Sequence, residues 1–123
     1  MAKRPVNLNL LTIRFPVTAM ASILHRISGF ILFLLIPVFL GLFAISLKNP
    51  QGFLAVHRGL TYPLSKCILL AVLLVLFYHL LAGIRHVLMD MGIGEHLAQA
   101  RFSAGFVIVA AMVLTALMGI YLW

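Results

Sequence analysis

Between Arg26 and Lys48 the chain runs for 21 residues without a charged side chain. That is enough α-helix to cross about 30 Å of hydrocarbon. Two further stretches behave alike: 18 uncharged residues separate Lys66 from Arg85, and no residue from Phe102 to Trp123 is charged. The composition agrees. Of 123 residues 64% are hydrophobic, 9% are charged and only two are acidic, the profile of an integral membrane protein and not of a soluble domain. A net charge of +7 raises nucleic acid as a partner, but the basic residues are scattered among apolar segments and form no stripe. Helix ends and anionic headgroups account for them better.

The expected fold class is therefore all-α, with three transmembrane helices at about 21–47, 63–91 and 102–123. Residues 1–20 mix Lys3, Arg4-Pro5, Asn7, Asn9, Arg14 and Pro16 with short apolar pairs, and the prolines argue against a continuous helix. An irregular or interfacial segment on the cytoplasmic face, covered by another protein, is expected there. The Ala19-Met-Ala21 triplet precedes the apolar run, whereas a signal-peptide cleavage site would follow it, so the basic start is expected to be retained. Pro37 is tolerated inside a membrane helix. Residues 48–62, with Asn49-Pro50-Gln51-Gly52 and His57-Arg58-Gly59, read as a polar loop, and Pro63 suits the first turn of the next helix. Gly92, Gly94, Glu95, His96 and Arg101 mark a second, short loop. Tyr121 and Trp123 fit an interfacial belt. Cys67, alone, can neither close an internal disulfide nor form a metal site, and reads as a small buried hydrophobe.

Three spans put Lys3, Arg4, Arg14, Arg26, Arg85 and Arg101 on one side and Lys48, Arg58 and Lys66 on the other. Six against three predicts a cytoplasmic N-terminus in a bacterial inner membrane, with the matrix of a mitochondrion as the less favoured equivalent.

The second span carries the residues that lipid does not explain. Along Tyr78-His-Leu-Leu-Ala-Gly-Ile-Arg-His-Val-Leu-Met-Asp90, His79 and His86 fall within about 20° of each other on a helix. Ala82, Gly83 and Asp90 lie near the same face. With the inner end of the helix near Arg85, His79 lies about 9 Å deep, and ionisable residues at such depth are usually functional. It needs a partner: a metal, a hydrogen-bond acceptor or water. A core histidine bonded to a carbonyl and a haem ligand both satisfy that need. His86, at the boundary, suits propionates, proton passage or the interface better than iron. Arg85 points away from this face and reads as a snorkelling helix-end charge.

The first span supplies a second polar face, Ser22-Ile-Leu-His-Arg-Ile-Ser-Gly29. With Ser22 as origin, Arg26 falls at about +40°, Gly29 at about −20° and His25 at about −60°. Antiparallel succession of the first two helices brings Ser22, His25 and Arg26 to the depth of His86 and Asp90. Arg26 can then compensate propionates or polarise a carbonyl, while His86 and Asp90 can pass protons from the inner water. Two ligands from one straight helix cannot reach opposite faces of a porphyrin, so if a haem is bound, His79 and His86 are not its two ligands.

Arg4-Pro-Val-Asn-Leu-Asn-Leu, Ser22-Ile-Leu-His-Arg-Ile-Ser-Gly29 and His79-Leu-Leu-Ala-Gly-Ile-Arg-His86 with Asp90 resemble the cytochrome b membrane-anchor subunits of succinate dehydrogenase, respiratory complex II. The resemblance spans nearly the whole chain and is generic only in the C-terminal helix. It implies a haem b shared with a second small anchor subunit, each chain giving one axial histidine, here His79. It implies that Ser22 and Arg26 line the ubiquinone site and that His25 serves the haem propionates and quinone pocket. Further partners are an iron–sulfur subunit, which delivers electrons, and a flavoprotein subunit, which oxidises succinate. The chain has no residues for succinate chemistry and is non-catalytic alone. Two rivals stand beside this: the anchor of a fumarate reductase, which takes electrons from quinol, and a cofactor-free helical scaffold.

Overall fold

A computed structural model describes residues 16–123. The Arg4–Leu10 motif and the basic residues Lys3, Arg4 and Arg14 lie outside the described residues. Four helices follow one another: α1 Val17–Lys48, α2 Pro50–Thr61, α3 Pro63–Asp90 and α4 Leu97–Leu122. Three of them, α1, α3 and α4, are long and apolar enough to cross a membrane.

Pro16 starts α1. It is extended (φ −65°, ψ 151°), and its carbonyl accepts from Ala19 N at 2.9 Å and Met20 N at 3.1 Å. The helix then runs for 32 residues through Pro37, about 48 Å, so it projects beyond the hydrocarbon.

Where the sequence reads as a loop over 48–62, the structure has α2. Asn49 and Pro50 are not turn residues here but the start of a helix. The Asn49 side chain accepts from Gly52 N at 2.7 Å, an N-cap, and Pro50 fills the first helical position, where no N–H is needed. Gly52 is needed for approach: a Cβ there would run into the Ile45 carbonyl oxygen. The short helix therefore folds back against the last turns of α1.

Pro63 occupies the first turn of α3. Its C-terminus closes as a Schellman motif: Gly92 N donates to Met89 O at 2.9 Å and Ile93 N to Leu88 O at 2.9 Å, with Gly92 at φ +80°. Only glycine adopts that conformation without strain. The chain turns within a few residues and enters α4 at Leu97, five residues before the expected start at Phe102. Arg101 consequently lies inside the helix.

Small residues make the helix crossings. The buried apolar residues are Ala21, Ala82, Ala100, Ala104, Val107 and Ala111. On α4 their spacing of four, three and four keeps them on one face, against α3. Large Leu, Ile and Phe side chains point outwards, as lipid requires, and Cys67, expected to be buried, is exposed with them. Polar ties fasten the bundle at both ends. Tyr78 Oη donates to Ala21 O at 2.8 Å. At the other end Lys66 Nζ donates to Leu122 O at 2.7 Å and lies 5.2 Å from the centre of the Trp123 ring.

Arg85 departs from its expected role. It does not snorkel: it is 6% exposed, with Nε donating to Ser103 Oγ at 3.0 Å and Nη2 to Ala100 O at 3.1 Å. The face opposite the histidines is covered by α4, not by lipid, so the guanidinium bonds to that helix.

Candidate functional site

Antiparallel packing of α1 on α3 brings three imidazoles together. The rings of His25 and His79 stack with centroids 4.4 Å apart and planes 13° apart. His86 lies tilted by 49° to His25 at 5.0 Å. Stacked rings direct their nitrogens sideways, not at a common point, and among the described residues no group of three His, Cys, Asp or Glu side chains converges to hold a metal ion. Each imidazole must act separately.

The crossing is close because Gly29 and Gly83 face it. A Cβ on Gly29 would stand 2.9 Å from His79 Cε1, and one on Gly83 would stand 3.3 Å from His25 Nε2. Gly83, expected near the face of His79 and His86, thus also seats His25. Beside it His79, Leu80, Gly83, Ile84, Val87 and Leu88 line an open groove of about 330 Å³.

His79 is anchored through one nitrogen. Its Nδ1 lies 3.0 Å from Ser28 Oγ and 3.3 Å from His25 O. Among the described residues no buried side-chain nitrogen or oxygen lacks a partner. His79 Nε2 makes no hydrogen bond among the described residues and is not among their buried unpartnered atoms.

Of the other expected site residues, Ser22 is half-buried on α1, three residues before His25, and Arg26 is exposed directly after it. Asp90 is exposed at the last turn of α3, four residues past His86. Ser28 and Tyr78 were not singled out as site residues from the sequence, and Gly29 was placed on the polar face of the first span without a role of its own. A signal for Ser28 was present: a serine three residues after His25 bonds readily to the carbonyl one turn back, as it does here at 2.7 Å.

Three apolar spans, packed on small residues and carrying a histidine cluster near one end of the α1–α3 crossing, define a helical membrane protein with polar side chains inside one helix crossing. Residues 1–118 match the family described as the succinate dehydrogenase/fumarate reductase transmembrane subunit. The chain belongs to that family, as a membrane-anchor subunit of the cytochrome b type. It is 41% identical to the succinate dehydrogenase cytochrome b556 subunit of Coxiella burnetii (strain RSA 493 / Nine Mile phase I), an alignment covering 99% of this chain and 98% of that protein. The subunit of the same name from Paracoccus denitrificans is 32% identical, with 93% and 88% covered. That from Rickettsia felis (strain ATCC VR-1525 / URRWXCal2) is 31% identical, with 94% and 90% covered.

Proposed function

We propose that this chain anchors a succinate dehydrogenase to the inner membrane, binds one side of a haem b through His79, and forms part of the site where ubiquinone is reduced. The observation that carries this reading is the state of His79 inside the membrane-spanning part of α3. Its Nδ1 is held by Ser28, its Nε2 is free of hydrogen bonds among the described residues, and Gly83 is among the residues that line the adjoining groove. Ligating histidines in proteins are usually tethered in this way through their other nitrogen. The groove is shallow and open, at the low end of the size that encloses a ligand, so the residues present fit one face of a flat group and leave the other to a second small anchor subunit, which would supply the second axial histidine.

Haem b, when bound, supplies a one-electron relay within the membrane. The chain's own residues prepare the quinone chemistry around it. Ser22 donates a hydrogen bond to a quinone carbonyl, and Arg26, one turn further on, places fixed positive charge where that carbonyl gains electron density. Arg26 and His25 would also hold the propionate carboxylates of a bound haem. His86 and Asp90 lie between this region and the inner water and pass protons inward. Electrons arrive from an iron–sulfur subunit and ultimately from a flavoprotein that oxidises succinate.

The test is an optical spectrum of the purified complex. A reduced b-type α-band is expected, and His79→Ala should perturb it more than His86→Ala. Absence of any band leaves a cofactor-free scaffold. An axial pair formed by His86 and another residue of this chain overturns the assignment of His79.

A further inference from the structure

Three contacts hold the His79 imidazole, and each removes a different freedom. Stacking on His25, at 4.4 Å and 13°, sets the plane of the ring. Gly29 lets the Cε1 edge approach the α1 backbone, since a Cβ there would come to 2.9 Å. The Ser28 hydroxyl decides which nitrogen carries the proton. It donates to His25 O at 2.7 Å, so towards Nδ1, 3.0 Å away, it has only lone pairs to offer. The proton is therefore on Nδ1 and the imidazole lone pair on Nε2.

We propose that Ser28 and Gly29 are positioning residues for the haem iron ligand. Ser28 locks His79 in the Nδ1–H form and strengthens Nε2 as a donor, and Gly29 gives the ring the space to keep that orientation. This rests on the reading of His79 as an axial ligand. Ser28 is 5% exposed, so water does not compete for its bond. An acceptor at Nδ1–H increases the electron density the ring can give to iron, which favours the ferric over the ferrous state. Removal of the hydroxyl leaves Nδ1 only the His25 carbonyl at 3.3 Å, a longer and weaker contact. Loss of such an outer partner typically weakens metal binding about 10–100-fold. If a tenfold loss falls on the ferric state alone, the one-electron potential rises by about 59 mV.

The experiment uses the intact purified complex. The haem α-band is titrated against potential, and haem loss to a scavenging apoprotein is timed, for Ser28→Ala, Ser28→Thr, Gly29→Ala and His79→Ala. Ser28→Ala should raise the potential and speed haem loss about tenfold or more. Ser28→Thr keeps the hydroxyl and should restore both values towards those of the unmodified complex, which a loss of packing alone would not produce. Gly29→Ala keeps Ser28 but displaces the ring, and should shift the potential in the same direction; it decides the matter if the Ser28→Ala complex fails to assemble. Unchanged potential and haem loss in Ser28→Ala and Gly29→Ala, with both altered in His79→Ala, overturn the positioning role while sparing the ligand. An unaltered haem in His79→Ala overturns both.

Discussion

Arg85 and Ser103 make a pair whose two deletions should have unequal costs, and the larger cost belongs to the smaller deletion. The guanidinium is buried between α3 and α4 and bonds to Ser103 Oγ and Ala100 O at 3.0 and 3.1 Å. Interhelical hydrogen bonds in membranes average about 0.6 kcal/mol and reach about 1.7 kcal/mol. Two of them give about 1–3 kcal/mol. Arg85→Met removes both bonds but also removes the buried charge, and leaves no orphan: Ser103 Oγ still donates to Ala100 O at 3.2 Å. Its cost should lie at the lower end, about 1 kcal/mol.

Ser103→Ala removes a single oxygen, yet it takes the acceptor from a charged donor on a side chain only 6% exposed. An unsatisfied buried group costs about 1–3 kcal/mol, and more when charged. We expect Ser103→Ala to be the more damaging by at least about 1 kcal/mol, and the double variant to fall back near Arg85→Met alone. Reversible unfolding of the detergent-solubilised chain, measured as a double-mutant cycle, gives the three values. Equal, near-zero costs for both single variants would restore the snorkelling arginine and refute the buried one. A coupling under about 0.5 kcal/mol would show that the two side chains act independently.

The same arginine shows where sequence stops being informative. Helical periodicity places Arg85 off the histidine face, correctly, but cannot say whether lipid or another helix covers the opposite side. The three apolar spans were legible because lipid selects on composition, which needs no knowledge of neighbours. His79 and His86 were legible because seven residues bring a helix back to nearly the same face. Their partner His25 required only the antiparallel order of α1 and α3. Helix α2 was not legible, because Asn49, Pro50, Gly52 and Gly59 carry turn signals. At Asn49 and Pro50 those signals mark a helix start, and at Gly52 a close approach to the Ile45 carbonyl, which is tertiary information. Ser28 carried a local signal only, for its bond to the His25 carbonyl. Its importance lies in the nitrogen it bonds across the crossing, 51 residues away.

Further measurements follow from the packing and from the proposed site. Ala104, fully buried in the α3–α4 contact, leaves no space for a longer side chain, so Ala104→Leu should lower unfolding stability by about 1–3 kcal/mol; an unchanged melting profile would mean that the two helices separate freely. Reporter fusions at the C-terminus should appear on the outer side, since Lys3, Arg4 and Arg14 tip the charge balance towards an inner N-terminus; a cytoplasmic reporter would reverse the orientation. The quinone site gives the sharpest functional contrast. A carbonyl that gains charge on reduction needs a fixed donor, and loss of one in a water-excluded site costs about 2–4 kcal/mol, or roughly 10²–10³ in rate. Ser22 is half-buried and one turn from Arg26, so Ser22→Ala should slow quinone reduction by that factor. Haem content and succinate oxidation with a soluble dye should stay near normal, because neither uses the hydroxyl. Arg26→Leu should match it in the quinone assay and also disturb the haem, since in the proposed site its guanidinium would hold propionates as well. Quinone reduction at the unmodified rate in Ser22→Ala would make the first-helix motif a packing feature and move the site elsewhere.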